Sequence, residues 1–377
     1  MEKNVLYITY VDYLESAFPG VQIKIQGQTM AMEGAGLHVD RVNQYGRDAQ
    51  LVTGGETRLI SAPLPRLAIY RAVKAAVEQR HYMAAYIRFQ FFSEDVRKIC
   101  KLLKSRGVRV LMEFPTYPYE GELHQQGPKG EIKLLCDRLY RRPCAKYIDA
   151  FVTQAEEPKI YGVNCIRVLN GLDYATHPLR TIRPARADAL HLVAVASMLP
   201  WHGYDRLLHG LAVYKGGTKV VLHLVGQGKE IAKYREIVEK HHLEDQVVFH
   251  GAQGGAALEE IVSGCDIAVG SLGAFRIGLK KMSTLKSREY CAWGFPSVNA
   301  TPTDILSMED PFCLFVPEDE SAVDVEQIVQ FYHRVYFDSG LTARQIGEKI
   351  RAAAEGCSDV RAVFRPVIEF MERGEGK

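Results

Sequence analysis

Strand-like and helix-like segments alternate through this 377-residue chain twice, and that double alternation most constrains what it can fold into. In the first run, strand signals fall at 5–9, 49–53, 85–89, 109–114, 151–153 and 166–169. Helix signals fall at 65–80, at 93–105 with Ser93 as cap and Gly107 behind, and at 132–147. Residues 20–40 mix glycine with helical spacing. Residues 170–188 are polar, contain proline and lack a period, so they read as an interdomain linker. The alternation then restarts, with strands at 191–196, 220–225, 247–249, 267–270, 297–299 and 314–316, and helices between them and after them. The expected architecture is α/β, with two Rossmann-like domains whose parallel sheets are covered on both sides. The expected bounds are 1–172, a linker at 173–188, 189–358, and a terminal helix at 359–377 able to pack back on the first domain. Ligands of such sheets bind beyond the strand carboxyl ends, so two such domains would face each other across a cleft.

The stretch MSTLKSREYCAWGFP at 282–296 concentrates the chemistry. Ser283 and Thr284 can cap a helix that starts near Leu285, and its free amides and positive dipole end suit a phosphate. Lys286 and Glu289 are three apart on one helix face, a cation for a diphosphate beside a carboxylate for a sugar diol. The same residues also fit a capped surface helix with an ordinary ion pair.

Composition narrows the alternatives. The chain is 47% hydrophobic and 24% charged, with net charge +2, so no overall field points to nucleic acid. The eight cysteines show neither a CxxC pair nor a ligand spacing with histidine, so no metal is expected. No stretch approaches the ~20 apolar residues that span a bilayer, and the sequence reads as cytoplasmic. The basic segment Arg138-Leu139-Tyr140-Arg141-Arg142, with Lys129, Lys133 and Lys146, fits either a solvated helix or one resting on an anionic membrane face, which would make the protein peripheral on the inner side.

Four elements in order carry a resemblance. Asn170-Gly171-Leu172-Asp173, VGQG at 225–228, VVFHG at 247–251, and Glu289 followed by Ala292, Gly294 and Pro296 resemble the NGID, VGxG, V-x-F-x-G and E-A-x-A-x-G-x-P-V elements of retaining GT-B glycosyltransferases, the glycosyl transferases group 1 type. Residues 201–206 (WHGYDR) and 113–119 (EFPTYPY) resemble a bacterial polysaccharide-building branch. The resemblance implies transfer of a sugar from a nucleotide sugar, UDP- or GDP-linked, to a saccharide or lipid-linked acceptor, with retention and without a metal or other cofactor. It implies that Glu289 binds ribose hydroxyls and Lys286 the diphosphate. A second glutamate usual in the family is replaced by Lys281, and its Arg and Lys near the second domain's first strand by Ser197 and His202. Phosphate would then be met by His202, Arg206, Arg276 or Lys281. Gly226 and Gly228 could bring amides near the nucleotide, and Gly20, in a loop expected at 12–27, could approach the donor phosphates. Arg88, Glu113, Tyr117 and Tyr119 follow strand ends in the first domain and are candidates for the acceptor pocket. Two other readings are a nucleotide-sugar epimerase on the same scaffold and a degraded transferase that serves as a scaffold subunit.

Overall fold

A computed structural model describes residues 3–14, 19–124 and 126–373. The chain divides into two units, one of residues 1–171 with 360–377 and the other of 172–359.

The first unit is built on β1 (Asn4–Asp12), a nearly unbroken apolar run. Leu6 and Ile8 face one core and Val5 and Tyr7 another, so the strand is covered on both faces. The strands are β1, β2 (His38–Tyr45), β3 (Asp48–Thr53), β4 (Glu56–Ile60), β5 (Ala84–Arg88), β6 (Arg109–Phe114), β7 (Ala150–Thr153), β8 (Lys159–Ile160) and β9 (Val163–Arg167). Their order in the sheet is β4-β3-β2-β1-β5-β6-β7-β9-β8. The six central strands from β2 to β9 run parallel, while β3, β4 and β8 join antiparallel. The sheet is therefore mixed, and β2, β4 and β8 had no counterpart in the sequence reading. The helices are α1 (Pro19–Gly34), α2 (Pro65–Gln79), α3 (Glu94–Ser105), the short α4 (Glu120–His124) and α5 (Pro128–Ala145). The terminal helix α12 (Val360–Glu372) lies on the α1 side, where Phe364, Val367 and Ile368 share a core with Val5, Tyr7 and Ile25.

The second unit is a six-stranded parallel sheet of β10 (Ala189–Val195), β11 (Lys219–Val225), β12 (Val247–Gly251), β13 (Ile267–Val269), β14 (Ser297–Asn299) and β15 (Cys313–Phe315). Its order is β12-β11-β10-β13-β14-β15. The chain therefore reverses its direction of travel between β10 and β13, and the carboxyl ends of these two strands flank a topological switch point. Helices α6 (Tyr204–Val213), α7 (Ile231–His241), α8 (Gly255–Ser263), α9 (Leu285–Ala292), α10 (Val325–Tyr336) and α11 (Ala343–Ser358) complete the unit.

The stretch expected to be a linker is instead a strap belonging to the second unit. The Leu172 amide donates to the Ser358 carbonyl at 2.9 Å. The buried Arg180 guanidinium donates to the carbonyls of Trp293 and Gly294 at 2.9 and 2.8 Å and lies over the Phe295 ring. Arg351 of α11 donates to the carbonyls of Tyr174, His177 and Ala292. Polar, aperiodic sequence here marks chain fixed by side-chain hydrogen bonds rather than free chain.

Candidate functional site

Two loops meet at the switch point of the second unit. After β10 the chain runs through Ser197 to a 3-10 turn, Pro200–His202, and then into α6. After β13 it runs through Gly270, Ser271 and Leu272. The Leu272 amide donates to the His202 carbonyl at 2.8 Å. Gly203 lies against Gly273, and a β-carbon on Gly203 would sit 2.6 Å from the Gly273 nitrogen. Gly203 also has φ of +64°, so both backbone angle and space require glycine.

Helix α9 brings its side chains to this junction because its start is pinned from several directions. Thr284 has extended backbone angles and accepts the Ser287 amide at 3.2 Å, so Thr284, not Ser283, is the cap. Ser283 turns to Asp304 at 3.0 Å. Arg288 is fully buried, pairs with Asp304 and donates to the Thr284 carbonyl at 2.9 Å. Leu285 opens the helix, and its amide belongs to the first turn that intrahelical bonds leave open.

Lys286 then reaches back to the switch point. Its Nζ donates to Tyr204 Oη at 3.0 Å and stands 3.5 Å from Ser271 Oγ. Among the described residues no carboxylate lies within ion-pair distance of it. Burial pushes its ammonium down to about 7, against the weaker pull of Glu289. The Glu289 carboxyl is raised by burial, only partly offset by His177 and Lys286. Lys286 and Glu289 are thus a desolvated cation and a desolvated acid held apart, each without a charged partner in contact. Such an arrangement is unfavourable alone and is relieved by a ligand with complementary groups.

His202 completes the junction. Its ring is stacked on Tyr204, with centroids 5.7 Å apart and planes 10° from parallel. Nδ1 accepts the Leu199 amide at 2.9 Å. Burial, and then the Lys286 charge, hold the imidazole down to about 3. It is neutral at physiological pH, with its proton on Nε2.

The other expected donor residues have different surroundings. Arg206 is 1% exposed, and its guanidinium donates to the carbonyls of Ser321, Leu272 and Pro317. Those carbonyls take donors a phosphate would need, so Arg206 braces the loops after β13 and β15 instead. Arg276 is likewise engaged, by Asp205 at 3.0 Å, by Glu320 and by the Pro200 carbonyl. Lys281 and Ser197 are exposed. Gly226 and Gly228 are required by packing, because a side chain on either would strike the carbonyls of Ala196, Ser197 or Met198. Gly20 falls in the first turn of α1 rather than in a loop, and residues 15–18 lie outside the described residues. Tyr204, Ser271 and His177 were not singled out in the sequence. Tyr204 lies inside the WHGYDR stretch, whereas Ser271 carries no local signal.

In the first unit, Arg88 ends β5 and Glu113 stands beside it in register on β6. Arg88 Nη1 meets Glu113 Oε2 at 2.8 Å, and Lys24 Nζ approaches Oε1 at 3.3 Å. Gln28 Nε2 donates to Oε1 at 3.2 Å, and Tyr7 Oη donates to Gln28 Oε1 at 2.6 Å. Burial would raise the Glu113 carboxyl, but Arg88, Lys24 and Gln28 overcome it and hold it at about 2. Tyr119 is buried, stacks on Phe114 and donates to Asp137 at 2.9 Å, so it is core rather than pocket wall. Tyr117 is half-buried beside it.

Comparison with known proteins agrees with this geometry. Residues 179–272 match the family model described as "Glycosyl transferases group 1". A search of curated proteins found no significant match. A glycosyltransferase from Rickettsia africae superposes with a TM-score of 0.64 at 11% identity, covering 98% of both chains. Anabaena Alr3699/HepE in complex with UDP gives 0.59 at 14%, covering 98% of this chain and 99% of that one. A sucrose-phosphate synthase from Thermosynechococcus elongatus gives 0.59 at 15%, covering 98% of both. The architecture is therefore that of the GT-B glycosyltransferases, two α/β units on parallel-dominated sheets. The fold and the matched domain together support a GT-B glycosyltransferase.

Proposed function

We propose that the protein transfers a sugar from a nucleoside diphosphate sugar, held by the second unit, to a saccharide or lipid-linked acceptor. The observation that carries this reading is Lys286, a half-buried ammonium at a switch point with hydroxyls but, among the described residues, no carboxylate in contact. A diphosphate supplies the missing negative charge, and its charge grows as the sugar departs, so Lys286 stabilises the departing group more than the substrate. Glu289 accepts from vicinal hydroxyls of ribose or sugar, and the neutral His202 offers Nε2–H to an oxygen of the donor. The α9 amides add to the phosphate seat. Uridine is the favoured base, supported by Anabaena HepE, whose structures contain UDP and UDP-glucose. Retention of configuration, transfer of a hexose without a metal, and a place in surface polysaccharide synthesis are part of the same proposal.

Titration calorimetry with UDP, GDP and ADP tests the donor half. Binding of UDP that is lost in Lys286→Met supports it, and no binding of any nucleotide overturns it in favour of a scaffold role. Incubation with the donor sugar alone tests the chemistry. The sugar should emerge with its configuration unchanged at every carbon; an epimer formed without acceptor would overturn transfer.

A further inference from the structure

Helix α5 carries an outward face that the other described residues leave exposed. Its inward face is Gly130, Leu134, Asp137, Cys144 and Ala145. On the opposite side Ile132, Leu135 and Leu139 are 71%, 63% and 65% exposed. Their spacing of three and four residues lines them up on one stripe about two turns long. Scattered exposed aliphatics are ordinary; three aligned on the outer ridge of one helix are not.

The charges around the stripe are mostly of one sign. Lys129, Arg138, Arg142 and Lys146 are exposed along it. The one exposed acid on the helix, Glu131, is engaged by His124. Asp137 points inward to Arg141 and Tyr119, so only Glu131 offsets the four basic side chains on the outer face. This short face thus carries more net positive charge than the whole chain, whose balance is +2.

We infer that this face of α5 docks on the surface of an anionic phospholipid bilayer, with Ile132, Leu135 and Leu139 entering the headgroup–acyl boundary and the four basic side chains meeting lipid phosphates. A basic amphipathic helix face with aliphatics on its ridge has the composition of a membrane-surface element. A second copy of the chain fits less well. A two-fold contact would set like charges against like, and three side chains fall far short of a standard interface. Among the described residues no helix is long and apolar enough to cross a membrane, so the contact lies in the plane of the surface. The inference is independent of the chemistry at Lys286.

Flotation of the full chain with vesicles tests it. Vesicles of phosphatidylcholine with about one-third phosphatidylglycerol should carry the protein, and pure phosphatidylcholine should not. Raising salt from about 0.1 M to about 0.5 M should release most of it, because screening weakens the basic contacts. The double variant Leu135→Glu/Leu139→Glu should lower vesicle binding about tenfold or more while its thermal midpoint and UDP affinity stay unchanged. Arg138→Glu/Arg142→Glu should abolish the preference for the anionic lipid. Equal binding to both vesicles, no binding to either, or a dimer that dissociates on Leu135→Glu would each overturn the inference. Loss of UDP binding in the wild type would strike the glycosyl-transfer reading and leave this one standing.

Discussion

Each of the two units carries a cation beside a glutamate, Arg88 with Glu113 on neighbouring strands and Lys286 with Glu289 on α9, and the two pairs are built in opposite ways. Arg88 and Glu113 touch at 2.8 Å, with Lys24 and Gln28 filling the remaining positions around the carboxylate, and Glu113 is held at about 2. Lys286 and Glu289 are desolvated without that contact, and burial drives both toward their neutral forms, the lysine to about 7. The first arrangement is complete as it stands. The second has unmet electrostatic demand, which on the proposed reading a donor diphosphate meets. Type of residue alone does not separate them; what surrounds the charges does.

Stability measurements should divide the pairs most sharply. Arg88→Met leaves the buried Glu113 carboxylate with only Lys24 and Gln28, so urea unfolding should show a loss of about 3 kcal/mol. Lys286→Met removes a half-buried cation without a charged partner in contact, and its unfolding free energy should equal or exceed that of the wild type; a comparable loss there would erase the contrast. The same Lys286→Met change should weaken UDP about 10- to 100-fold, as expected for a charge-assisted contact.

The pH dependence gives the next effect. The Lys286 ammonium loses its proton near 7 in the folded chain but near 10.5 in the unfolded one. Between those values the unfolded chain binds more protons, so stability should rise with pH, by at most about 1.4 kcal/mol per pH unit from this group. Unfolding at pH 7, 8 and 9 should show this slope in the wild type and its loss in Lys286→Met. The affinity for UDP should fall over the same range, because the anion needs the protonated lysine. Smallest of all, Lys281→Ala changes an exposed side chain, and its thermal midpoint should stay within the shift that about 0.5 kcal/mol produces.

The second unit was the more legible of the two. Helix α9 and β14 follow from a cap, a glycine stop and a short apolar run, all local signals. In the first unit, β2 escaped because its alternation is disguised. Asp40 and Asn43 are buried, Asp40 through Arg80 and Tyr82, so polar letters occupy core positions. Ser93 does stand at the start of α3, yet its hydroxyl accepts from Arg66 rather than capping the helix. At the site, Lys286 and Glu289 could be named from their spacing. Their isolation from other charges could not, since it depends on Tyr204 and Ser271, 82 and 15 residues away in sequence. Arg206 shows the reverse error: a basic residue in a suggestive motif is spent on three carbonyls that only the folded chain brings within reach.

The meeting of Gly203 with Gly273 has a consequence for how such a site can change over time. The two loops touch backbone to backbone there: a β-carbon on Gly203 would strike the Gly273 nitrogen, whereas one on Gly273 would need its neighbours to give by only a few tenths of an ångström. A variant that kept every polar group but gained one methyl at Gly203 would push the loop after β13 away and move the neighbouring Tyr204 relative to the ammonium. Of the two glycines, Gly203 is therefore the one at which the junction has no freedom to change.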